Sequence, residues 1–429
     1  MKYTPLPKGL YSKNRAKLAK KLSPKSVAIL NSNDLMPTNA DGTMKFRQNN
    51  DIFYLSGIDQ EETILLLAPD CPVEDYREVL FLRETNEHIA VWEGHKYTKE
   101  EAFEASGIDN IQWLSSFDQI FNTVTALCEN IYLNTNEHLR AGVVVETRDA
   151  RFIERCKAQF PLHEYNRLAP IMHELRGVKE PEEIAQLQKA CDITELGFRR
   201  ILGFVKPGVT EYEIEAEYLH EFVRNRSKGF AYEPIIASGG SACVLHYLEN
   251  NKACNDGELL LMDVGAEYGN YNADMTRTIP VNGRFTDRQR AVYNSVLKVK
   301  DEANKILSPG ITIQDYHKQV GLIMQAELVE LGLISQHDIE KQDPKWPAYK
   351  KYFMHGTSHH LGLDVHDVGT MHEPISENMV FTVEPGIYIP DEGFGVRLEN
   401  DVVVKSGANE DLMKNIPIHP DEIEDLMNG

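Results

Sequence analysis

Two pairs of acidic residues sit in apolar surroundings where a carboxylate has little reason to be. Asp263 closes the run Leu259-Leu260-Leu261-Met262, and Asp274 follows in Tyr271-Asn272-Ala273-Asp274-Met275. With a turn centred on Tyr268-Gly269, the two are expected to face each other across a β-hairpin, their Cβ atoms about 5 Å apart. Like charges in direct opposition destabilise a sheet unless cations lie between them. Glu384, after Val380-Phe381-Thr382-Val383, and Glu399, after Val396-Arg397-Leu398, repeat the arrangement on a second pair of strands. Burying a carboxylate is costly unless it is paired or metal-bound. Four acids so placed carry the charge to neutralise two divalent cations. Two such ions about 3.5–4 Å apart acidify a shared water and polarise a carbonyl.

Imidazoles are concentrated near the second pair. Of fifteen histidines, five (His355, His359, His360, His366 and His372) fall within eighteen residues, where even scatter would put fewer than one. The segment is not HExxH, which excludes a single-zinc protease helix. Gly356 and Gly362 point instead to a turn feeding a strand. A carboxylate-rich set with imidazole favours hard or borderline ions, with Mn²⁺ the best fit and Co²⁺, Fe²⁺ and Zn²⁺ also admitted.

Positioning such a site requires rigid elements, and these follow a repeated plan. Glu180-Pro181-Glu182-Glu183 opens a helix, with proline early and acids at the positive end of the helix dipole. Leu187, Cys191, Thr194, Phe198 and Ile201 continue it at helical spacing. Pro207-Gly208-Val209-Thr210 then leads into a second helix, Thr210 and Glu213 forming a capping box. The phrase returns as Pro309-Gly310-Ile311-Thr312 after a long helix capped by Thr286 and Gln289. Helix, PG[V/I]T, helix, strands thus occurs twice and predicts a duplicated α+β domain, 173–429, with a pseudo-two-fold axis and strands of both halves meeting at the centre. The first 172 residues read differently. Ser26–Leu30, Thr63–Ala68, Val79–Arg83 and Asn130–Leu133 are strand-like runs alternating with helical patterns such as Lys13–Leu22 and Lys99–Ser106, an α/β domain.

Composition limits the partners. The 429 residues hold 45 basic and 66 acidic side chains, a formal charge of −21, which repels nucleic acid and anionic membranes. No apolar run is long enough to span a bilayer, and no signal-peptide core follows the N-terminal basic stretch. Six cysteines without a CxxC pair fit a reducing cytoplasm. Cys243 reads as a small buried residue.

Five phrases carry a resemblance: LHYLENN at 245–251, MDVGAEYGNYNADMTRTIPVNG at 262–283, HGTSHHLGLDVHD at 355–367, TVEPGIYI at 382–389 and GVRLEND at 395–401. In order and spacing the C-terminal domain resembles the creatinase/methionine aminopeptidase "pita-bread" family, most closely its proline-specific branch, aminopeptidase P. Phe46-Arg47-Gln48-Asn49 and Phe53-Tyr54-Leu55-Ser56-Gly57 resemble that family's N-terminal domain. The resemblance implies Asp263, Asp274, His359, Glu384 and Glu399 as ligands of two metal ions. It gives His246 a contact with the tetrahedral intermediate or the leaving proline nitrogen. His366 falls on the substrate carbonyl side, His355 on the proline pocket, and Arg397 beside the carboxylates it orients. Tyr232 and Tyr388 match family positions too, with core packing an equal reading. His360 stands where the family often has an aromatic residue, as a planar packing substitute or an extra ligand. Trp92 is either buried or reaches a site across a subunit interface. The implied reaction is hydrolysis of the first peptide bond of peptides with proline second, by a hydroxide between the metals, with Glu384 shuttling the proton. An X-Pro dipeptidase on the same fold is the alternative. The resemblance further implies a homo-oligomer, dimer or tetramer.

Overall fold

The computed structural model describes residues 3–142, 144–370 and 372–429. The chain divides into two compact units, Pro5–Arg176 and Gly177–Gly429, the latter joined by Tyr3 and Thr4.

The first unit is built on a six-stranded mixed sheet. Its strands are β1 (Ser26–Asn31), β2 (Ile64–Leu67), β3 (Glu78–Leu82), β4 (Ile111–Trp113), β5 (Asn130–Leu133) and β6 (Glu164–Arg167), in the order β4-β3-β2-β1-β5-β6. Val27, Ile29, Leu66, Phe81, Phe121 and Ile131 form part of its core. The four expected strands are the central ones. The two that periodicity did not reveal, β4 and β6, lie at the edges, where short or polar strands are the rule because only one side is paired. The first helix runs Lys8–Ala19, not Lys13–Leu22. Pro7 lacks an N–H and sits immediately before the first turn, and Ser23-Pro24 bars extension at the other end.

In the second unit the two halves follow one another as the repeat requires. Helices Pro181–Leu202 and Glu211–Arg224 precede β7 (Ile235–Ser238), β8 (Leu259–Val264), the short pair β9 (Glu267–Tyr268) and β10 (Tyr271–Asn272), and β11 (Met275–Pro280). Helices Asp287–Ile306 and Ile313–Glu330 precede β12 (Val380–Val383), β13 (Gly386–Ile389), β14 (Phe394–Arg397), β15 (Asn400–Val403) and β16 (Glu410–Asp411). The expected caps Thr210/Glu213 and Thr286/Gln289 are present as capping boxes, and the helix opened by Glu180-Pro181 carries a further one between Glu180 and Glu183. Gly208 and Gly310 take nearly the same left-handed φ, +96° and +94°, at the same point of each half. The sheets are β11-β8-β7 and β12-β15-β16, with β13 paired to β14. The halves join at the centre, where Glu399 N donates to Thr276 O at 3.1 Å.

The first ligand hairpin departs from the expected register. Tyr268 faces Tyr271, and Asp263 faces Thr276 rather than Asp274. The turn is Gly269-Asn270, one residue later than Tyr268-Gly269, and both residues have positive φ, +60° and +69°. A two-residue hairpin turn of that kind needs left-handed backbone at both central positions, which Gly and Asn tolerate and Tyr does not. Asp263 and Asp274 are therefore diagonal neighbours on one face.

Candidate metal centre

Asp263 sits near the end of β8, and Asp274 immediately precedes β11. Between them the ladder is distorted. At Gly265 a Cβ would come within 1.7 Å of Ala273 O, so the two backbones cross closer than any side chain allows. The Asp274 N–H leaves the hairpin and donates to Asp401 Oδ2 at 3.0 Å. Tyr232 Oη then lies 2.5 Å from both Asp263 Oδ1 and Asp274 Oδ1. A phenol has one proton to offer two carboxylates.

From the second half, the Arg397 guanidinium donates to Asp263 Oδ2 at 2.6 Å, to Thr276 Oγ1 at 3.0 Å and to Tyr388 Oη at 2.9 Å. Thr276 in turn donates to Glu399 Oε2 at 2.7 Å. Tyr388 Oη is 2.7 Å from His355 Nε2, while His355 Nδ1 is 2.8 Å from Gly356 O. One tautomer satisfies every contact: Arg397 donates to Tyr388, Tyr388 to His355 Nε2, and His355 Nδ1–H to the carbonyl. Burial and the nearby Arg397 charge hold this imidazole neutral, its pKa lowered to about 3.

Residues 357–361 lie along β12. Leu361 N donates to Val380 O, Thr382 N to His359 O and Glu384 N to Thr357 O. This places His359 beside Glu384. His359 Nδ1 donates to His360 O at 2.9 Å, leaving Nε2 as a lone-pair donor 3.4 Å from Asp274 Oδ2 and 3.5 Å from Glu384 Oε1. Fixing one ring nitrogen by a carbonyl is how proteins orient a ligating imidazole. One ligand atom each from Asp274, His359 and Glu399 can be chosen so that all lie within 4.8 Å of one another.

Charge tests whether these donors suit cations. Burial pushes Glu384 up to about 7. Burial and then the Asp263 charge raise Asp274 well above the carboxylate range, and burial and then Asp274 do the same for Glu399. Four crowded acids lie around the guanidinium of Arg397, with one tyrosine proton between two of them. Divalent cations relieve that repulsion and use the same oxygens, so the donor chemistry fits a divalent cation.

The remaining histidines divide. The His366 ring stands 4.4 Å from that of His359, nearly perpendicular. His246 is exposed on a turn after Gly239–Cys243, and among the described residues no contact joins it to the carboxylates. Its neighbours Leu245 and Tyr247 pack in the cluster that contains Tyr388. His360 is buried and tilted over Phe381, ring centroids 4.3 Å apart, the contact expected of a planar packing residue. Trp92 is 79% exposed, which removes the buried alternative. Cys243 is half-buried, its Sγ 3.4 Å from Phe394 O.

Arg277 was not foreseen. It is fully buried and donates to Pro417 O, Thr276 O, Glu399 O and Asn400 Oδ1, stitching β11 to the segment that carries Glu399. A charged residue in the middle of Asp274-Met-Thr-Arg-Thr-Ile was the available signal.

Residues 185–406 match the model of metallopeptidase family M24, and residues 11–132 that of the aminopeptidase P N-terminal domain. The chain is 35% identical to the Xaa-Pro aminopeptidase of Escherichia coli over 97% of both chains, and 33% identical to that of Haemophilus influenzae over 99% of this chain and 98% of the other. Its structure is similar to Pseudomonas aeruginosa aminopeptidase PepP, with TM-score 0.89, 32% identity and coverage of 99% and 98%. It is also similar to zinc-substituted Escherichia coli aminopeptidase P in complex with product, with TM-score 0.86, 33% identity and 99% of each chain covered.

Proposed function

The chain belongs to metallopeptidase family M24, and from that premise we propose that it is a two-metal X-Pro aminopeptidase, releasing the residue that precedes proline at a peptide N-terminus. The observation that carries the reading is the meeting of Asp274, Glu384 and Glu399 at His359, with Asp263 tied to Asp274 through the shared Tyr232 hydroxyl. We assign these five residues as ligands, with Mn²⁺ the metal their chemistry favours. Bound there, two cations supply Lewis acidity and lower the pKa of a water.

The chain's own groups do the rest. Glu384 takes a proton from the nucleophile and returns it to the leaving nitrogen. The Arg397–Tyr388–His355 chain fixes Asp263 at one end and a neutral imidazole at the other, giving the proline side of the site an uncharged, rigid wall. His366, beside His359, faces the substrate carbonyl, and His246 reaches the departing proline. The X-Pro bond has no N–H, so a site that demanded that donor would fail on it, whereas one that reads ring shape and a free amine does not. The aminopeptidase names of the relatives weigh against the X-Pro dipeptidase alternative. No helix among the described residues is long and apolar enough to cross a membrane. The free cysteines fit a reducing cytoplasm.

The test is release of the first residue from an X-Pro-Y tripeptide, its N-acetylated form, the X-Ala-Y analogue and an X-Pro dipeptide, by metal-stripped protein with each metal restored in turn. Turnover of the free-amine X-Pro-Y peptide above all others, highest with Mn²⁺, is expected. Cleavage of the acetylated peptide would remove the exopeptidase reading, and preference for the dipeptide would restore the dipeptidase.

A further inference from the structure

Beneath the histidine-rich loop lies an ion pair that the reaction does not explain. Lys179 Nζ is 2.9 Å from Asp367 Oδ2, and each side chain is only 1% exposed. Removing two charges from water costs most or all of what their attraction returns, so a buried pair is poor evidence of a stability device and better evidence of imposed geometry.

That geometry is visible in the backbone. Lys179 precedes helix Pro181–Leu202, and Lys179 N donates to Asn378 O at 2.9 Å beside the Val178–Met379 bridge that leads into β12. Asp367 N donates to His360 O at 2.9 Å, which closes residues 361–366 into a tight loop. The loop's other flank is held by Asn272, whose side-chain amide donates to Gly362 O and Leu363 O at 3.1 and 2.9 Å. The ion pair packs directly under the loop. A Cβ on Gly362 would come within 2.2 Å of Asp367 Oδ2 and 3.0 Å of Lys179 Cε. His359 enters this loop as the ligating imidazole, and His366 leaves it with its ring across that of His359.

We propose that Lys179 and Asp367 are positioning residues for His366. Through the pair, the segment preceding the first helix of the second unit sets where the His366 ring stands over the metal centre. The inference rests on the reading that His366 contacts substrate. Asp367 is buried and His366, its immediate neighbour, is exposed, so the anchored carboxylate fixes the direction in which the imidazole is presented. Asn272 acts from the opposite side and belongs to the hairpin that carries Asp274, so the same loop is referenced to both ligand-bearing halves.

The experiment is a double-mutant cycle on X-Pro-Y hydrolysis, with metal content and thermal unfolding recorded for every variant. Asp367→Asn is expected to lower kcat/KM on the order of 10- to 100-fold, the penalty of a misplaced group, with two metals still bound. In a His366→Ala background the same substitution should cost less than about twofold, because a residue that acts through His366 has nothing left to act on. If Asp367→Asn fails to fold, the double variant Lys179→Met with Asp367→Asn leaves no buried unpaired charge and should recover the unfolding temperature. Its kcat/KM should stay low, which a merely structural role would not produce. Full additivity of Asp367→Asn and His366→Ala, loss of metal in Asp367→Asn, or activity that returns with stability would each overturn the proposal. Wild-type turnover by His366→Ala alone would instead sink the assignment of His366 to the substrate.

Discussion

Asp274 concentrates the physical problem of this site. Its side chain is buried, 2.5 Å from a tyrosine hydroxyl that a second carboxylate also claims, and its backbone N–H is spent on a third acid, Asp401. Asp274→Asn should abolish turnover and reduce metal content, since a neutral amide is a weaker ligand than a carboxylate. The same change removes a carboxyl whose ionisation is opposed by burial and by Asp263, so the chelated variant should unfold at a higher temperature than the chelated parent. Elemental analysis and thermal unfolding in chelator measure both. Near-normal activity with two metals bound would refute the ligand assignment. His246 poses the converse case, a histidine exposed to solvent with no tie to the carboxylates. His246→Ala should depress kcat/KM while leaving metal content unchanged. Loss of metal from that variant would make His246 a ligand and the set of five wrong.

The elements hold these residues by close backbone approach as much as by side-chain packing. Gly265 is the sharpest example, since a methyl group there would sit 1.7 Å from Ala273 O. Gly265→Ala should destabilise the protein by more than about 3 kcal/mol, above the usual overpacking cost of about 1–3 kcal/mol because the obstacle is backbone. Gly208→Ala, at φ +96° with open space around it, should cost only roughly 1–2 kcal/mol of left-handed strain. Denaturant unfolding of the two variants separates the mechanisms, and equal costs would mean that the hairpin relaxes freely around Gly265. Much of this layer was legible beforehand. The helix starts at Pro181, Glu211 and Asp287 follow from capping residues, which act locally and so leave a local trace. The pairing of Asp263 with Asp274 misread the turn, because Tyr268-Gly269 and Gly269-Asn270 differ by one residue and only backbone φ decides between them. The contacts of Arg277, Asp367 and Lys179 were not legible for another reason. Their partners lie far along the chain, at Glu399 for the first and across 188 residues for the ion pair, and periodicity carries no information about such contacts.

At the scale of the molecule, a net charge of −21 and a centre of raised acids make stability, metal and pH one linked problem. Asp274, Glu399 and Asp401 are raised well above the usual carboxylate range and Glu384 to about 7, burial being the first cause in each case. A carboxyl raised in this way keeps its proton in the folded protein at a pH where the unfolded chain has lost it. Its contribution to the metal-free fold is therefore greatest in acid and is lost as pH rises through the unfolded value towards the folded one. His355 and His360 act in the opposite sense. Both are buried and neutral with pKa lowered to about 3, so below about 6.5 the unfolded chain gains protons that the folded one refuses, and stability falls as pH falls. The two trends oppose each other between about pH 4 and 6.5, and a simple stability profile of the chelated protein would blur them. The difference between loaded and chelated protein isolates the ligand groups, carboxylates foremost, because cations compete with protons there while buried His360 stays neutral in both forms. The gap in unfolding temperature should be wide near about pH 7.5, where loading relieves the repulsion of ionised acids. It should narrow near about pH 5.5, where protons already do so and compete for the same oxygens. Thermal unfolding with saturating Mn²⁺ and with chelator at both pH values measures the two gaps. A gap that is equal at both, or wider in acid, would mean that the bound metal is not held by these carboxylates.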